Sequence, residues 1–163
     1  MIEVVVAHLG LDRATNTPVV ILREKDGTRV VPIWIGPAEA SAIAMELQGV
    51  KPSRPMTHDL LRQVLLGLRA TLDRVVVTAV RENTYFAELH LRTGEELVLV
   101  DARPSDAIAL AVRFHAPIFT TDQLLAGIGA ATIEPAAEGR LDAEQLKRYL
   151  ENLDPQDFGK FAP

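Results

Sequence analysis

Shifted by 67 positions, the chain falls on itself: residues 18–44 align with 85–111 without a gap. Leu22, Gly27, Val31, Pro37, Ala40, Ala42 and Ala44 coincide with Leu89, Gly94, Val98, Pro104, Ala107, Ala109 and Ala111. Both copies read as strand, Gly-containing turn, strand, and then Pro-x-(Glu/Asp)-Ala-x-Ala-(Ile/Leu)-Ala. In the first copy Pro18 to Arg23 and Arg29 to Ile35 flank a charged turn with Asp26-Gly27 at its tip. In the second, Tyr85 to Leu91 and Glu95 to Val100 flank Arg92-Thr93-Gly94. Pro37 and Pro104 suit the first helical position, where a missing N–H costs nothing. Ala40, Ile43, Ala44, Leu47 and Ala107, Leu110, Ala111, Phe114 then follow i, i+3, i+4, i+7, an apolar stripe toward a core. A strand precedes each copy, Glu3 to Leu9 and Arg74 to Val80.

The expected fold class is therefore α+β: a mixed sheet with helices, built on an internal duplication of a strand–strand–strand–helix unit. Chance likeness between two hairpin–helix units is the alternative. The repeat halves run over about 1–49 and 74–116, joined by a loop and helix at 50–72, within a domain of residues 1–130. In the joining segment Lys51-Pro52-Ser53-Arg54-Pro55 is a loop, and Thr57 caps a helix whose Leu60, Leu61, Val64, Leu65 and Leu68 make one apolar face. Pro117 to Thr120 is a short strand, and Thr121 or Asp122 caps a brief helix ending near Gly127. Residues 131–163 are a linker, one amphipathic helix opened by an Asp142/Gln145 capping box, and a tail from Asp154.

Composition narrows the chemistry. With 163 residues, 48% of them hydrophobic, there is one compact core to fill, and aromatics at 5% leave the filling to Leu, Val, Ile and Ala. Zero cysteine excludes disulfides, thiolate metal sites and cysteine nucleophiles, so any metal would be held by oxygen with at most an imidazole or two. No apolar run approaches the roughly 20 residues of a membrane helix, and the N-terminus reads as a strand rather than a signal peptide, so a soluble, cytoplasmic protein without a membrane partner is expected. Net charge −5 argues against indiscriminate nucleic-acid binding. It is unevenly spread, however. Residues 134–163 carry seven acids against four bases, whereas residues 50–75 carry Lys51, Arg54, Arg62, Arg69 and Arg74 against only Asp59 and Asp73. A basic helix face is usually only a solvated one.

Polar residues gather in Ser53-Arg54-Pro55-Met56-Thr57-His58-Asp59 and in Asp101-Ala102-Arg103-Pro104-Ser105-Asp106. Glu39 is the repeat counterpart of Asp106. If the two repeat helices start side by side, Glu39, Asp101, Arg103 and Asp106 lie near strand ends and helix N-termini, where ligand sites form. Each has a structural explanation as well. Glu39 and Asp106 occupy a first helical turn, where a carboxylate favours the dipole. Asp101 ends an apolar strand that reads as buried, with Arg103 as its ion-pair partner. His58 beside Asp59 suggests a general base, yet adjacent helical residues point about 100° apart, so the two do not simply bond each other. His8, His90 and His115 show no ligand spacing and read as solvated or locally bonded. Glycine-rich phosphate loops, His-Glu-x-x-His and Gly-x-Ser-x-Gly are absent from the sequence.

The strings Trp34-Ile35-Gly36-Pro37-Ala38-Glu39-Ala40, Arg54-Pro55-Met56-Thr57-His58-Asp59-Leu60 and Asp101-Ala102-Arg103-Pro104-Ser105-Asp106-Ala107-Ile108-Ala109-Leu110-Ala111 resemble the bifunctional nuclease family, once known only as a domain of unknown function. The resemblance spans about Met1 to Gly129. It implies an α+β homodimer with nuclease activity on DNA and RNA. On that reading His58, Asp59, Asp101 and Asp106 are catalytic, Arg54, Thr57, Arg103 and Ser105 bind substrate, and Glu39, Asp101 and Asp106 hold Mg2+ or Mn2+, ions that prefer oxygen ligands. The alternative function is a non-catalytic dimer that binds a small anion, a nucleotide or a protein partner through the same residues. A third makes the polar strings an interface and ion-pair scaffold.

Overall fold

The computed structural model describes residues 1–128. The expected linker, amphipathic helix and tail of residues 131–163 lie outside the described residues. The chain runs β1 (Ile2–Asp12), β2 (Thr17–Glu24), β3 (Val30–Trp34), α1 (Pro37–Leu47), α2 (Thr57–Gly67), β4 (Ala70–Arg81), β5 (Thr84–Thr93), β6 (Glu96–Ala102), α3 (Pro104–Phe114), β7 (Ile118–Thr120) and α4 (Asp122–Ile128). Seven strands form one sheet in the order β3-β2-β1-β7-β4-β5-β6. All neighbours are antiparallel except β4 and β7, so the sheet is mixed, as expected for this α+β class.

The order strand–strand–strand–helix occurs twice, in β1-β2-β3-α1 and β4-β5-β6-α3. Three-residue β7 lies between the two three-stranded halves, antiparallel to β1 and parallel to β4. Its buried Thr120 hydroxyl donates to the Val77 carbonyl at 3.1 Å, satisfying a polar group where no water reaches. Strands rich in β-branched residues supply the core: Val20, Leu22, Val31 and Ile33 from one half, Val75, Val77, Ala87 and Leu89 from the other. Ile43, Ala107, Ile108, Leu110 and Ala111 from the helices and Leu125 from α4 close over them. Proline opens both repeat helices, at Pro37 and Pro104. The β4–β5 turn places Glu82 and Asn83 at φ 48° and 60°, the pairing of left-handed residues that matches a two-residue hairpin to strand twist.

Several sequence expectations need correction. The strand Leu97 to Val100 is not buried: β6 is the sheet's edge, and its four central residues are 37–55% exposed. An apolar run of this length fits a buried strand equally well, and only long-range pairing decides between them. The apolar residues of α2 do not all face a core either. Leu65 is partly buried, whereas Leu60, Leu61, Val64 and Leu68 stand exposed. In α1 the stripe stops at Ala44, and Leu47 is exposed. Helix α2 is capped from Met56, not Thr57, and ends at Gly67.

Candidate functional site

Glu39 and Asp106 occupy the third position of α1 and α3, each two residues after the opening proline. Because the two helices pack together, their first turns meet. Arg103, the residue before Pro104, reaches across the gap. Its Nε donates to Asp106 Oδ2 at 2.8 Å and one terminal nitrogen donates to Glu39 Oε1 at 2.9 Å. One guanidinium thus bridges the carboxylates at the third positions of α1 and α3. Arg103 pairs with these two acids and not with Asp101, the partner expected from the sequence.

Helix α2 completes the cluster. His58 Nε2 lies 2.9 Å from Asp106 Oδ1. Asp106 is held below the ordinary carboxylate range, first by the His58 bond, against the opposing effect of burial, and then by Arg103. An ionised carboxylate only accepts hydrogen bonds, so the proton of a neutral His58 belongs on Nε2 and the lone pair on Nδ1. Nδ1 has no described protein partner and is not among the buried unsatisfied atoms, so it is open to solvent. The arrangement therefore presents an oriented imidazole that shares the Asp106 carboxylate with a fixed cation.

Asp59, adjacent in sequence, does a different job. Its Oδ2 accepts from the Met56 N–H at 2.9 Å, closing the first turn of α2. Its Oδ1 accepts from Arg113 Nε at 2.7 Å. Arg113 is 6% exposed and also donates to the Ala109 and Ala42 carbonyls at 2.8 and 3.1 Å. Asp106 and Arg113 are seven residues apart and so share a face of α3. Two polar links thus join the start of α2 to α3, and the second also reaches α1. Burial pushes Asp59 upward, but the Arg113 and Met56 bonds outweigh it and hold the carboxylate below its usual value. Arg113 was not singled out from the sequence. Its only signal was a base at the last turn of an apolar helix, which the helix dipole alone explains.

The remaining expected site residues stand apart. Asp101 is exposed, pairs across the ladder with Glu88, and faces away from the side on which the neighbouring pair Ala87 and Ala102 meets the core. It has no hydrogen bond or ion pair with a described residue. Arg54 is an exposed loop residue, and Thr57 is exposed at the start of α2. Ser105 is buried in the first turn of α3. The excess of bases in residues 50–75 is partly used internally: Lys51 pairs with Glu46, Arg62 stacks on Phe114 and Arg74 donates to His90. Among the described residues no three His, Asp or Glu side chains are grouped to hold a metal. Glu39, Asp101 and Asp106 do not converge as a ligand set, because Asp101 lies elsewhere and Arg103 fills the gap between the other two.

The two lowered carboxylates give the fold an acid dependence. A depressed folded pKa contributes stability above the unfolded value, 3.8 for Asp106 and for Asp59, and that contribution disappears as pH falls through the lower folded value. Urea midpoints should therefore hold steady at neutral pH and drop below about pH 4. Asp59→Asn should lower the midpoint at neutral pH and flatten the drop. A variant that retains the wild-type pH slope would contradict this assignment.

Residues 20–132 match the bifunctional nuclease domain. An uncharacterized protein of Mycobacterium tuberculosis is 38% identical over 162 residues, covering 96% of this chain and 97% of its own length. Bifunctional nuclease 1 of Arabidopsis thaliana is 30% identical over 140 residues, 78% of this chain. Bifunctional nuclease 2 of the same plant is 32% identical over 139 residues, 77% of this chain. The matched segments make up 43% and 42% of those two plant proteins, which are longer. Among the described residues no helix is long and apolar enough to cross a membrane. The domain match and the plant relatives together place this chain in the bifunctional nuclease domain family.

Proposed function

We propose that this chain is a nuclease that hydrolyses DNA or RNA phosphodiester bonds at the His58–Asp106–Arg103–Glu39 cluster. The observation that carries the reading is the orientation of His58. An ionised Asp106 fixes its tautomer and leaves Nδ1 as a proton acceptor on a ring that shares its carboxylate with a guanidinium. His58 Nδ1 takes a proton from the attacking water as the new O–P bond forms and the bond to the leaving oxygen breaks, and the leaving oxygen takes its proton from solvent water. In RNA the ribose 2′-hydroxyl can attack in place of water, giving a 2′,3′-cyclic phosphate that water then opens. Arg103 has one terminal nitrogen without a described partner, and it binds a non-bridging phosphate oxygen as charge builds there. Glu39 holds the guanidinium in place. Asp59 belongs to the scaffold in this reading, and no step involves Asp101 or a metal ion.

The direct experiment is cleavage of labelled single-stranded DNA and RNA by highly purified protein in Mg2+, Mn2+ and EDTA. Turnover that purifies with the chain supports the reading. EDTA and the two ions then show whether the divalent ion expected from the sequence is needed. Absence of turnover in every condition, with retained binding of oligonucleotide, would make the same cluster a binding site and overturn the catalytic reading.

The acting unit in this reading is a homodimer joined along β6. The outer edge of β6 is unpaired within the chain, and Leu97, Val98, Leu99 and Val100 expose both faces. No proline, lysine or bulge protects it. The edge is complementary to itself. Antiparallel pairing about Leu99 sets Val98 against Val100 and Leu97 against Asp101, with no acid facing an acid. Sedimentation equilibrium should find a dimer that Leu99→Lys converts to monomer. A wild-type chain that stays monomeric at micromolar concentration would contradict the proposal.

A further inference from the structure

The chain's single tryptophan is half exposed, an expensive way to place the largest apolar side chain on a surface. Trp34 ends β3, and its indole Nε1–H donates to Asp12 Oδ2 at 2.9 Å. The other oxygen of Asp12 accepts from the Ala14 N–H at 2.9 Å, so the turn after β1 fixes the carboxylate that fixes the indole. The ring is held by its polar edge while much of its surface remains open. Trp34 lines a cleft of about 890 Å3 between the β1–β2 and β4–β5 turns. Tyr85 and Asn83 line the same cleft from the second repeat, and Arg103, Pro104 and Ser105 close one end. Arg103 is thus shared: two of its nitrogens bind the carboxylates of the cluster, and the side chain also borders the cleft.

An aromatic face and a guanidinium in one open cleft match the two repeating parts of an unpaired nucleic-acid strand. A base presents a flat π surface and its phosphate a negative charge. A base inside a duplex is already stacked on its neighbours and cannot lie on a protein ring without being flipped out. The sharing of Arg103 links the two places, since a phosphate held there adjoins the Trp34 cleft and the Asp106 carboxylate that also holds His58. We infer that the Trp34 cleft is a single-strand subsite, in which Trp34 stacks an unpaired base while Arg103 holds the adjoining phosphate. The inference rests on the proposed phosphate role of Arg103 and adds the strandedness of the substrate.

Because Trp34 is the only tryptophan, its fluorescence reports on this cleft alone. The test titrates the full chain with a short oligothymidylate carrying a phosphorothioate backbone and, separately, with a blunt duplex. Saturable quenching by the single strand and little by the duplex is expected. Trp34→Ala should weaken single-strand binding by about tenfold, measured by fluorescence anisotropy of labelled oligonucleotide, with Trp34→Phe closer to wild type. Circular dichroism identifies any variant that has lost its fold, in which case Trp34→Phe and the wild-type quenching decide. Cleavage of single strands without any change in tryptophan emission would overturn the inference and leave the nuclease reading standing. Quenching and the Trp34→Ala loss without cleavage would support the subsite and overturn catalysis. Equal quenching by the duplex would also overturn the inference.

Discussion

His58→Ala is expected to slow phosphodiester cleavage by about 10²- to 10⁴-fold, the usual effect of removing a positioned general base. The loss should fall on kcat, because the side chain's proposed work is proton transfer in the transition state. The fold should survive. His58 is a partly exposed residue in the first turn of α2, and that turn stays closed through Asp59 and the Met56 N–H. Asp106 loses one partner in the variant but keeps the Arg103 Nε–H. A contrasting result is expected for Arg103→Lys. Lysine keeps the charge but replaces the planar fork by a point donor, so it cannot join Glu39 and Asp106 and also present a nitrogen to phosphate. That variant should raise KM as well as lower kcat. Steady-state kinetics on a single-stranded substrate separates the two patterns.

Arg113→Ala is expected to cost about 3 kcal/mol of stability, the low end of the range for breaking a buried pair by deleting one member. The pair is Arg113 with Asp59, their side chains 5% and 22% exposed, so solvent partly relieves the abandoned carboxylate. The loss is not only electrostatic. Arg113 also binds the carbonyls of Ala42 and Ala109, so its removal unfastens α1, α2 and α3 at one point. For a chain of this size the change corresponds to roughly 10 °C in Tm. Arg113→Lys should recover little, since one ammonium cannot reproduce three donors on a planar fork. Thermal melts of both variants, read beside Asp59→Asn, check whether the two residues act as a pair. If the double variant falls by the sum of the singles, the coupling is absent.

Local chemistry made the hairpins, the twice-occurring strand–strand–strand–helix order and the proline-opened helices legible in the sequence. The offset also paired Glu39 with Asp106, and once two helices start side by side, two equivalent carboxylates must approach each other. Arg103 between them follows from that geometry. What remained hidden depends on contacts between distant residues. Placing β7 between the two halves requires a strand from the end of the domain to enter its centre, and three residues carry no sequence signal for that. The exposure of β6 is likewise a matter of what packs against it, since Leu97 to Val100 would suit a buried strand just as well. That is why Asp101 looked like a buried acid and Arg103 like its partner. His58 and Asp59, neighbours in sequence, separate because a helix turns about 100° per residue. One reaches Asp106 and the other Arg113, and nothing local marks either destination.

The central claim is that catalysis belongs to the cluster around Asp106 and not to the acid that opens the same motif. Comparing initial rates of Asp106→Asn and Asp101→Asn on one single-stranded substrate tests this most directly. Asparagine in place of Asp106 removes the ionised acceptor that orients His58, whereas Asp101 touches none of the cluster. The account predicts a loss of about 100-fold or more for Asp106→Asn and a rate close to wild type for Asp101→Asn. Equal rates for Asp106→Asn and wild type, or a larger loss for Asp101→Asn, would contradict it.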